Sequence, residues 1–477
     1  MIFKSLREVN MAELGRRDFM RLACASAGVL FLGTNCSAEK NKPNIVLILA
    51  DDQGWKQVGC YGSDYYETPN IDKLATQGML FTDAYAACPV CSPTRASIMT
   101  GKYPARLHLT DFIAGGDPPE NSRVLHPDWT KYLPLDEITV AEALKKEGYV
   151  TASFGKWHLS KEKMPPESLP YNPDKQGFDE SFVTYKPSGG MAQEWQTPEN
   201  DGHNVEIITQ KSLEFMEQNK DKPFFLYIPH NTIHTPLIEK EKLIAKYEAK
   251  SGAGKDENNP VIAAMTETLD NSVGRIMDKL DELGLAENTL LIYFSDNGGL
   301  ERAADQTPLR SGKASLYEGG IRVPFIVRWP GRIKSGSVSH ELMTSVDFFP
   351  TLLDVVNASQ SHANIDGTSL VPVWTESSTL GRDAIYWHYP HYHSSGEAPC
   401  GAIRKGKYKL IEWYIPTIWN LDGQIELYDL ENDLDESNNL AEKMPKKAAE
   451  LREQLHQWRE RVGAQMPVKN PDYQPES

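Results

Sequence analysis

Three clusters of side chains in this sequence could do chemistry on an anion. The first is acidic. Asp51-Asp52 and Asp296-Asn297 supply three carboxylates and an amide oxygen, an all-oxygen set that suits a hard cation such as calcium or magnesium. One acidic pair after a strand is usually a turn with a helix cap. Two such pairs, each closing an apolar run, favour a metal. The second cluster is Cys91-Ser92-Pro93-Thr94-Arg95, ended by Gly101. Pro93 suits a first helical turn and Gly101 a C-terminal stop, so Cys91 falls at a helix start, where unpaired N–H groups favour negative charge. Arg95 lies one turn on, on the same face. The third set is cationic: Lys156 and His158 two apart in Lys156-Trp157-His158, then His230, His234 and Lys313. Singly, each is an ordinary surface residue. Together with Arg95 they would ring a tetrahedral anion, with histidines able to move protons near neutral pH.

The elements that must position these groups are legible as patterns. Asn44–Ala50, Pro223–Ile228 and Leu290–Phe294 are short apolar runs without alternation, as in strands buried on both faces of a parallel sheet, and Tyr149–Phe154 and Arg322–Arg328 read as two further strands. Helical stretches fall between them: one opened by Thr68-Pro69 and ended by Gly78, one opened by the capping box Thr139–Glu142, then Ile207–Gln218 and Met265–Leu283. Alternating strands and helices predict an α/β fold with a large, mostly parallel sheet sandwiched by helices. Ligands of such sheets bind beyond the carboxyl ends of the strands, where the residues above collect. From about Gly381 the texture changes to short strands over Ala402–Trp413 and Glu426–Leu430 and a charged helix over Lys443–Val462. This predicts a small C-terminal antiparallel sheet plus helix. The expected organisation is an export signal over 1–38, a catalytic domain over 39–380, a subdomain over 381–466 and a loose tail over 467–477. Residues 251–260 read as a mobile surface loop.

A net charge of −16 argues against nucleic acid or an anionic membrane surface as partner. Arg16-Arg17 ahead of the apolar run Leu22–Leu32 resembles a twin-arginine export signal, too short to span a membrane. Periplasmic or extracellular placement follows, with Ala38 before the cleavage point. Cys36 could instead be a lipoprotein cysteine. Cys60, Cys88, Cys91 and Cys400 remain after cleavage, too few for a disulfide framework, and the spacing assigns no pair among Cys60, Cys88 and Cys400.

In order and spacing, Ala50-Asp51-Asp52-Gln53-Gly54, Cys91-Ser92-Pro93-Thr94-Arg95, Gly155-Lys156-Trp157-His158, His234-Thr235-Pro236, Ser295-Asp296-Asn297-Gly298 and the run from Lys313 to Pro324 resemble the type I sulfatases of the alkaline phosphatase-like superfamily. That resemblance implies hydrolysis of sulfate esters by a formylglycine (3-oxoalanine) made from Cys91 by a formylglycine-generating maturation enzyme. It implies one calcium ion held by Asp51, Asp52, Asp296, Asn297 and the modified Cys91. It implies that Arg95 and Lys156 steady the formylglycine, that Lys156 and Lys313 contact the sulfate, and that His158 and His234 are the acid–base pair.

The substrate is less legible. Export and the aromatic, histidine-rich segment Tyr386–His393 suggest a sulfated carbohydrate, of galactose or N-acetylgalactosamine type. The segment reads equally as a structural joint between the two sheets. His230, His388, His391, Asp111 and Trp195 are the candidate substrate contacts, with His126 beside them. The rival readings are a phosphomonoester or phosphonate hydrolase of the same superfamily, and a non-catalytic glycan-binding protein with an unmodified Cys91.

Overall fold

A computed structural model describes residues 42–161, 170–184, 203–359, 364–376, 378–395 and 398–475. The segment 1–38, with Cys36, and Trp195 lie outside the described residues.

The large sheet is built from β1 (Asn44–Ala50), β2 (Met79–Phe81), β3 (Val150–Gly155), β4 (Glu180–Val183), β5 (Phe224–Pro229), β6 (Thr289–Ser295), β7 (Phe325–Arg328) and β8 (Ser337–Ser339). Their order is β8-β2-β7-β6-β1-β5-β3-β4. From β6 to β4 every pairing is parallel, while β7 runs antiparallel to both β6 and β2. The unbroken apolarity of β1 is explained by burial on both faces. Ile45, Leu47 and Leu49 join one core layer, whereas Val46, Ile48 and Ala50 join the other. All six are fully buried, and each of the larger side chains contributes roughly 1.5–3 kcal/mol by leaving water.

Helices cover both faces. α1 (Pro69–Gln77) and α3 (Val140–Lys146) form where their opening signals stand, with the Thr139–Glu142 capping box closed on both sides. α2 (Cys91–Thr100) is buried along its whole length and ends at Gly101, whose φ of 70° suits a residue without Cβ. α4 spans Val205–Gln218. The long helix α5 spans Pro260–Glu282, five residues earlier than the apolar periodicity suggests. Asn259 caps it by accepting from the N–H groups of Val261 and Ile262, and Pro260 occupies the first turn. The expected loop at 251–260 therefore ends in a helix cap. β7 begins at Phe325 rather than Arg322 because Pro324 has no N–H for the ladder.

The second sheet is antiparallel, with β9 (Ile385–Tyr389), β10 (Cys400–Lys405), β11 (Tyr408–Trp413) and β12 (Ile425–Asp429) in sequence order. Ile403, Leu410 and Leu427 face α6 (Pro445–Val462), through Leu451, Leu455 and Trp458. Ala402 and Ile411 on the other face pack with Tyr85, Val90, Leu316 and Ile321 from the loops around the large sheet. The tail is tied down in part: Val468–Lys469 pairs with Val124–Leu125. Among the described residues no disulfide forms, and no helix is long and apolar enough to cross a membrane.

Candidate active site

The strand order brings the acidic pairs together. β1 and β6 are neighbours in register, Ala50 opposite Ser295, so Asp51 and Asp296 leave adjacent strand ends side by side. Asp52 takes a φ of 61° and points its N–H at Asp296 Oδ1, 3.2 Å away. A non-glycine residue in this left-handed region costs roughly 1–2 kcal/mol, held here by the contacts around it. The loop after β6 meets the Lys313 loop at Gly298, where a Cβ would stand 1.8 Å from the Gly319 carbonyl oxygen. Lys313 N–H donates to the Gly299 carbonyl at 2.8 Å, and Ala314 N–H to that of Pro89 at 2.9 Å, which joins the Lys313 loop to the entry of α2.

Each carboxylate is met by a cation. Lys156 Nζ donates to Asp51 Oδ2 at 2.6 Å and Lys313 Nζ to Asp52 Oδ2 at 2.7 Å. Arg95 donates through Nε and Nη2 to Asp296 Oδ2 at 2.9 and 2.7 Å, and through Nη1 to the Lys156 carbonyl at 2.7 Å. Burial opposes ionisation of Asp51 and Asp52, yet Lys156 at the first and Lys313 at the second hold both carboxyls below the usual range. Burial and the neighbouring Asp51 push the Asp296 carboxyl upward, against the opposing pull of Arg95 and Lys156.

The ligand atoms of Asp51, Cys91 and Asp296 all lie within 4.8 Å of one another. Asp51 Oδ1 and Asn297 Oδ1 are buried oxygens without a hydrogen-bond partner, and Asn297 spends its Nδ2 on Asp52 Oδ1 at 2.8 Å. Orphaned buried oxygens beside clustered carboxylates fit a hard divalent cation.

Cys91 Sγ lies 3.2 Å from His158 Nδ1. His158 Nε2 faces the carbonyl oxygen of Ile113, which only accepts, so Nε2 carries a proton and Nδ1 is the nitrogen turned to residue 91. Burial raises the Cys91 thiol, but Lys156, His158 and Lys313 outweigh it and bring it down to about 6. His234 Nδ1 lies 2.6 Å from the Thr235 carbonyl oxygen and so carries the proton, while Nε2 points toward Asp52 Oδ2, 3.6 Å away. Burial and then Lys313 push His234 down to about 3, which leaves it neutral at neutral pH.

A model of the sulfatase family matches residues 43–358, and one described as N-sulphoglucosamine sulphohydrolase, C-terminal, matches residues 311–463. The chain belongs to the sulfatase family. It is a sulfuric ester hydrolase of the alkaline phosphatase-like superfamily. Human arylsulfatase A is 34% identical, over 77% of this chain and 74% of its own. Human N-acetylgalactosamine-6-sulfatase is 32% identical, over 74% of this chain and 70% of its own. Among solved structures, Ps i-CgsB in complex with k-i-k-neocarrahexaose superposes with a TM-score of 0.72 at 28% identity, covering 88% of this chain and 93% of that one.

In this sulfatase, Asp52, Cys91, Lys156, His158, His234 and Lys313 line one cavity of about 380 Å³. The other expected substrate contacts fare differently. His230 is fully buried behind β5, its Nε2 3.2 Å from Ser272 Oγ. His388 is buried between Tyr414 Oη (2.6 Å) and the Gln465 carbonyl oxygen (2.9 Å). His391 is fully buried with Nε2 2.8 Å from Thr110 Oγ1. None of the three lines the cavity, so the aromatic segment acts there as a joint between the sheets. Asp111 is also fully buried, under the wall, accepting from Tyr389 Oη at 2.9 Å. His126 Nε2 accepts from Tyr392 N–H at 2.8 Å. Instead, Phe112, Gly115, Thr184, Arg302 and His393 complete the wall. His393 belongs to the histidine-rich segment noted in the sequence. Arg302 carries no local pattern and was missed.

Proposed function

We propose that this sulfatase removes sulfate from carbohydrate sulfate esters, of galactose or N-acetylgalactosamine type, using a formylglycine at position 91 and one calcium ion. The observation that carries the reading is the convergence of Cys91 with Asp51 and Asp296 under Lys156, Lys313 and His158. The substrate class draws on human N-acetylgalactosamine-6-sulfatase and on the neocarrahexaose complex of Ps i-CgsB.

Asp51, Asp52, Asp296, Asn297 and residue 91 would hold the calcium ion, which supplies positive charge for oxygens developing negative charge. A hydrated formylglycine at position 91 would supply the hydroxyl nucleophile for sulfur and a second hydroxyl able to give up a proton for sulfate release. Everything else is the work of ordinary side chains. Arg95 fixes Asp296 and the Lys156 backbone, and through them the floor of the site. Lys156 and Lys313 are bound by Asp51 and Asp52. Both lysines line the cavity, where their ammonium groups would be placed to meet the sulfuryl oxygens of a bound ester. His158 presents Nδ1 to residue 91 and is placed to take its proton. His234 donates to the leaving alcohol once Nε2 is protonated, which the negative charge of a bound sulfate ester favours.

The twin-arginine-like segment supports export to the periplasm or beyond, and position 91 needs a formylglycine-generating partner. The division near residue 380 separates the catalytic sheet from an accessory one.

Intact mass of the tryptic peptide ending at Arg95 tests the reading. Conversion lowers it by about 18 Da, thiol sulfur and two hydrogens exchanged for one oxygen. An unconverted peptide in active protein sinks the mechanism. Matched aryl sulfate and aryl phosphate assays, scored by released anion, separate sulfatase from phosphatase action.

A further inference from the structure

Among the described residues, three of the four Lys and Arg side chains on or under the cavity wall have an acidic partner. Asp51 takes Lys156, Asp52 takes Lys313 and Asp296 takes Arg95. Arg302 is the exception. Its side chain is exposed at the cavity wall and has no acidic partner among the described residues. The adjacent Glu301 is engaged with Ser311 Oγ at 3.2 Å. In a chain of net charge −16, an uncompensated guanidinium in the substrate cavity is a specific feature rather than part of a general basic surface.

His393 stands on the same wall and completes the arrangement. Its Nδ1 accepts from Ser395 N–H at 3.1 Å, so the ring proton sits on Nε2. The ring packs edge-on against Phe112, with centroids 5.5 Å apart, which fixes its orientation. Burial, then Lys313, lowers His393 to about 4, and Arg302 adds to the same effect, so the three groups share one local field. At neutral pH His393 is a neutral hydrogen-bond donor beside a permanent cation. A guanidinium fork with a nearby N–H donor matches a planar carboxylate or a sulfate better than it matches a sugar hydroxyl.

We propose that Arg302 and His393 form a second anion-binding position, beyond the reacting sulfate, which takes a sulfate or carboxylate on the same sugar or its neighbour. The preferred substrate is then a glycan fragment with two anionic groups, not a sugar with one. This rests on the sulfatase reading of the cavity and names its substrate class more narrowly.

Three disaccharides separate the possibilities: one with a single sulfate, the same one with a second sulfate, and a monosulfated one carrying a uronic acid. For the wild-type enzyme, kcat/KM should favour at least one doubly anionic sugar over the monosulfated one. Which of the two is favoured tells whether sulfate or carboxylate is read. In Arg302→Ala that preference ratio should fall about tenfold, the scale of one charge-assisted hydrogen bond. Arg302→Lys should restore part of it, and His393→Ala should lower it by a smaller factor. The same ratios are read as Kd by calorimetry in a Cys91→Ala background, where no turnover occurs. A wild-type ratio near one, or an unchanged ratio in Arg302→Ala, overturns the proposal. Absence of sulfate release from every sugar and from an aryl sulfate defeats the sulfatase reading, while the Kd ratios still decide the anion position.

Discussion

Arg95 and Asp296 form a two-donor ion pair, Nε and Nη2 both on Oδ2, with neither side chain reaching solvent. The arginine comes from the helix that opens with Cys91 and the aspartate from the end of a central strand, so the pair ties that helix to the acidic cluster at the strand ends. Removing one partner leaves a buried charge without compensation. Arg95→Ala should cost about 3–5 kcal/mol of stability, read as a lower urea midpoint, and should nearly abolish sulfate release. Arg95→Lys keeps the charge but not the fork and should fall between. A wild-type midpoint in Arg95→Ala removes the structural role.

His158 offers Nδ1 to residue 91 while the Ile113 carbonyl fixes its other nitrogen. A base that acts after binding should matter for turnover more than for affinity. His158→Ala is expected to lower kcat by about 10²–10⁴, with KM within about threefold of wild type. An equal loss in 1/KM with kcat retained points to substrate binding instead.

Metal removal should be felt in the fold as well as in activity. Asp51, Asp52 and Asp296 converge beside two orphaned oxygens. A chelator should therefore lower Tm by several degrees, consistent with about 2–3 kcal/mol from a site saturated near a hundred times its Kd. Calcium added back should restore both Tm and turnover. Unchanged Tm and activity in chelator argue against a metal centre.

The Lys313 loop is anchored to the small sheet by a buried charge knot. Lys409 donates to Glu318 at 2.9 Å and lies 2.9 Å from Glu436. Burial works against the charge on Glu318, but Lys409, Arg322 and Arg404 bring its carboxyl down to about 2. A carboxyl lowered in the folded state stabilises fully above its unfolded value, near 4.5, and loses that contribution as pH falls toward about 2. Thermal melts of the wild type should therefore weaken between those values. Glu318→Gln should be less stable at pH 6 and show a flatter acid limb. Parallel acid limbs in the two proteins contradict the assignment.

Much of the fold was readable because the signals are local. Continuous apolarity marked β1, β5 and β6, and Thr139 with Glu142 marked the start of α3, since burial on two faces and a reciprocal cap each leave a pattern within a few residues. The start of α5 was less plain: Asn259-Pro260 is a cap and first turn, but it stands at the end of a polar loop that masks it. The length of β7 depended on Pro324, a single missing N–H.

Most of the candidate site residues were legible for the same reason, lying just past a strand or at a helix start in a recognisable order. What the sequence by itself determined was therefore a set of groups: a cysteine at a helix start, carboxylate and amide oxygens, cations and two histidines. Only the tertiary structure decided which residues share the cavity. His388, His391 and His393 lie within six positions, yet the first two are buried against Tyr414 and Thr110 while His393 reaches the wall. Arg302 joins it from a loop more than ninety residues earlier. Such a meeting depends on how the small sheet packs on the large one, and a contact between distant segments writes no period into either of them.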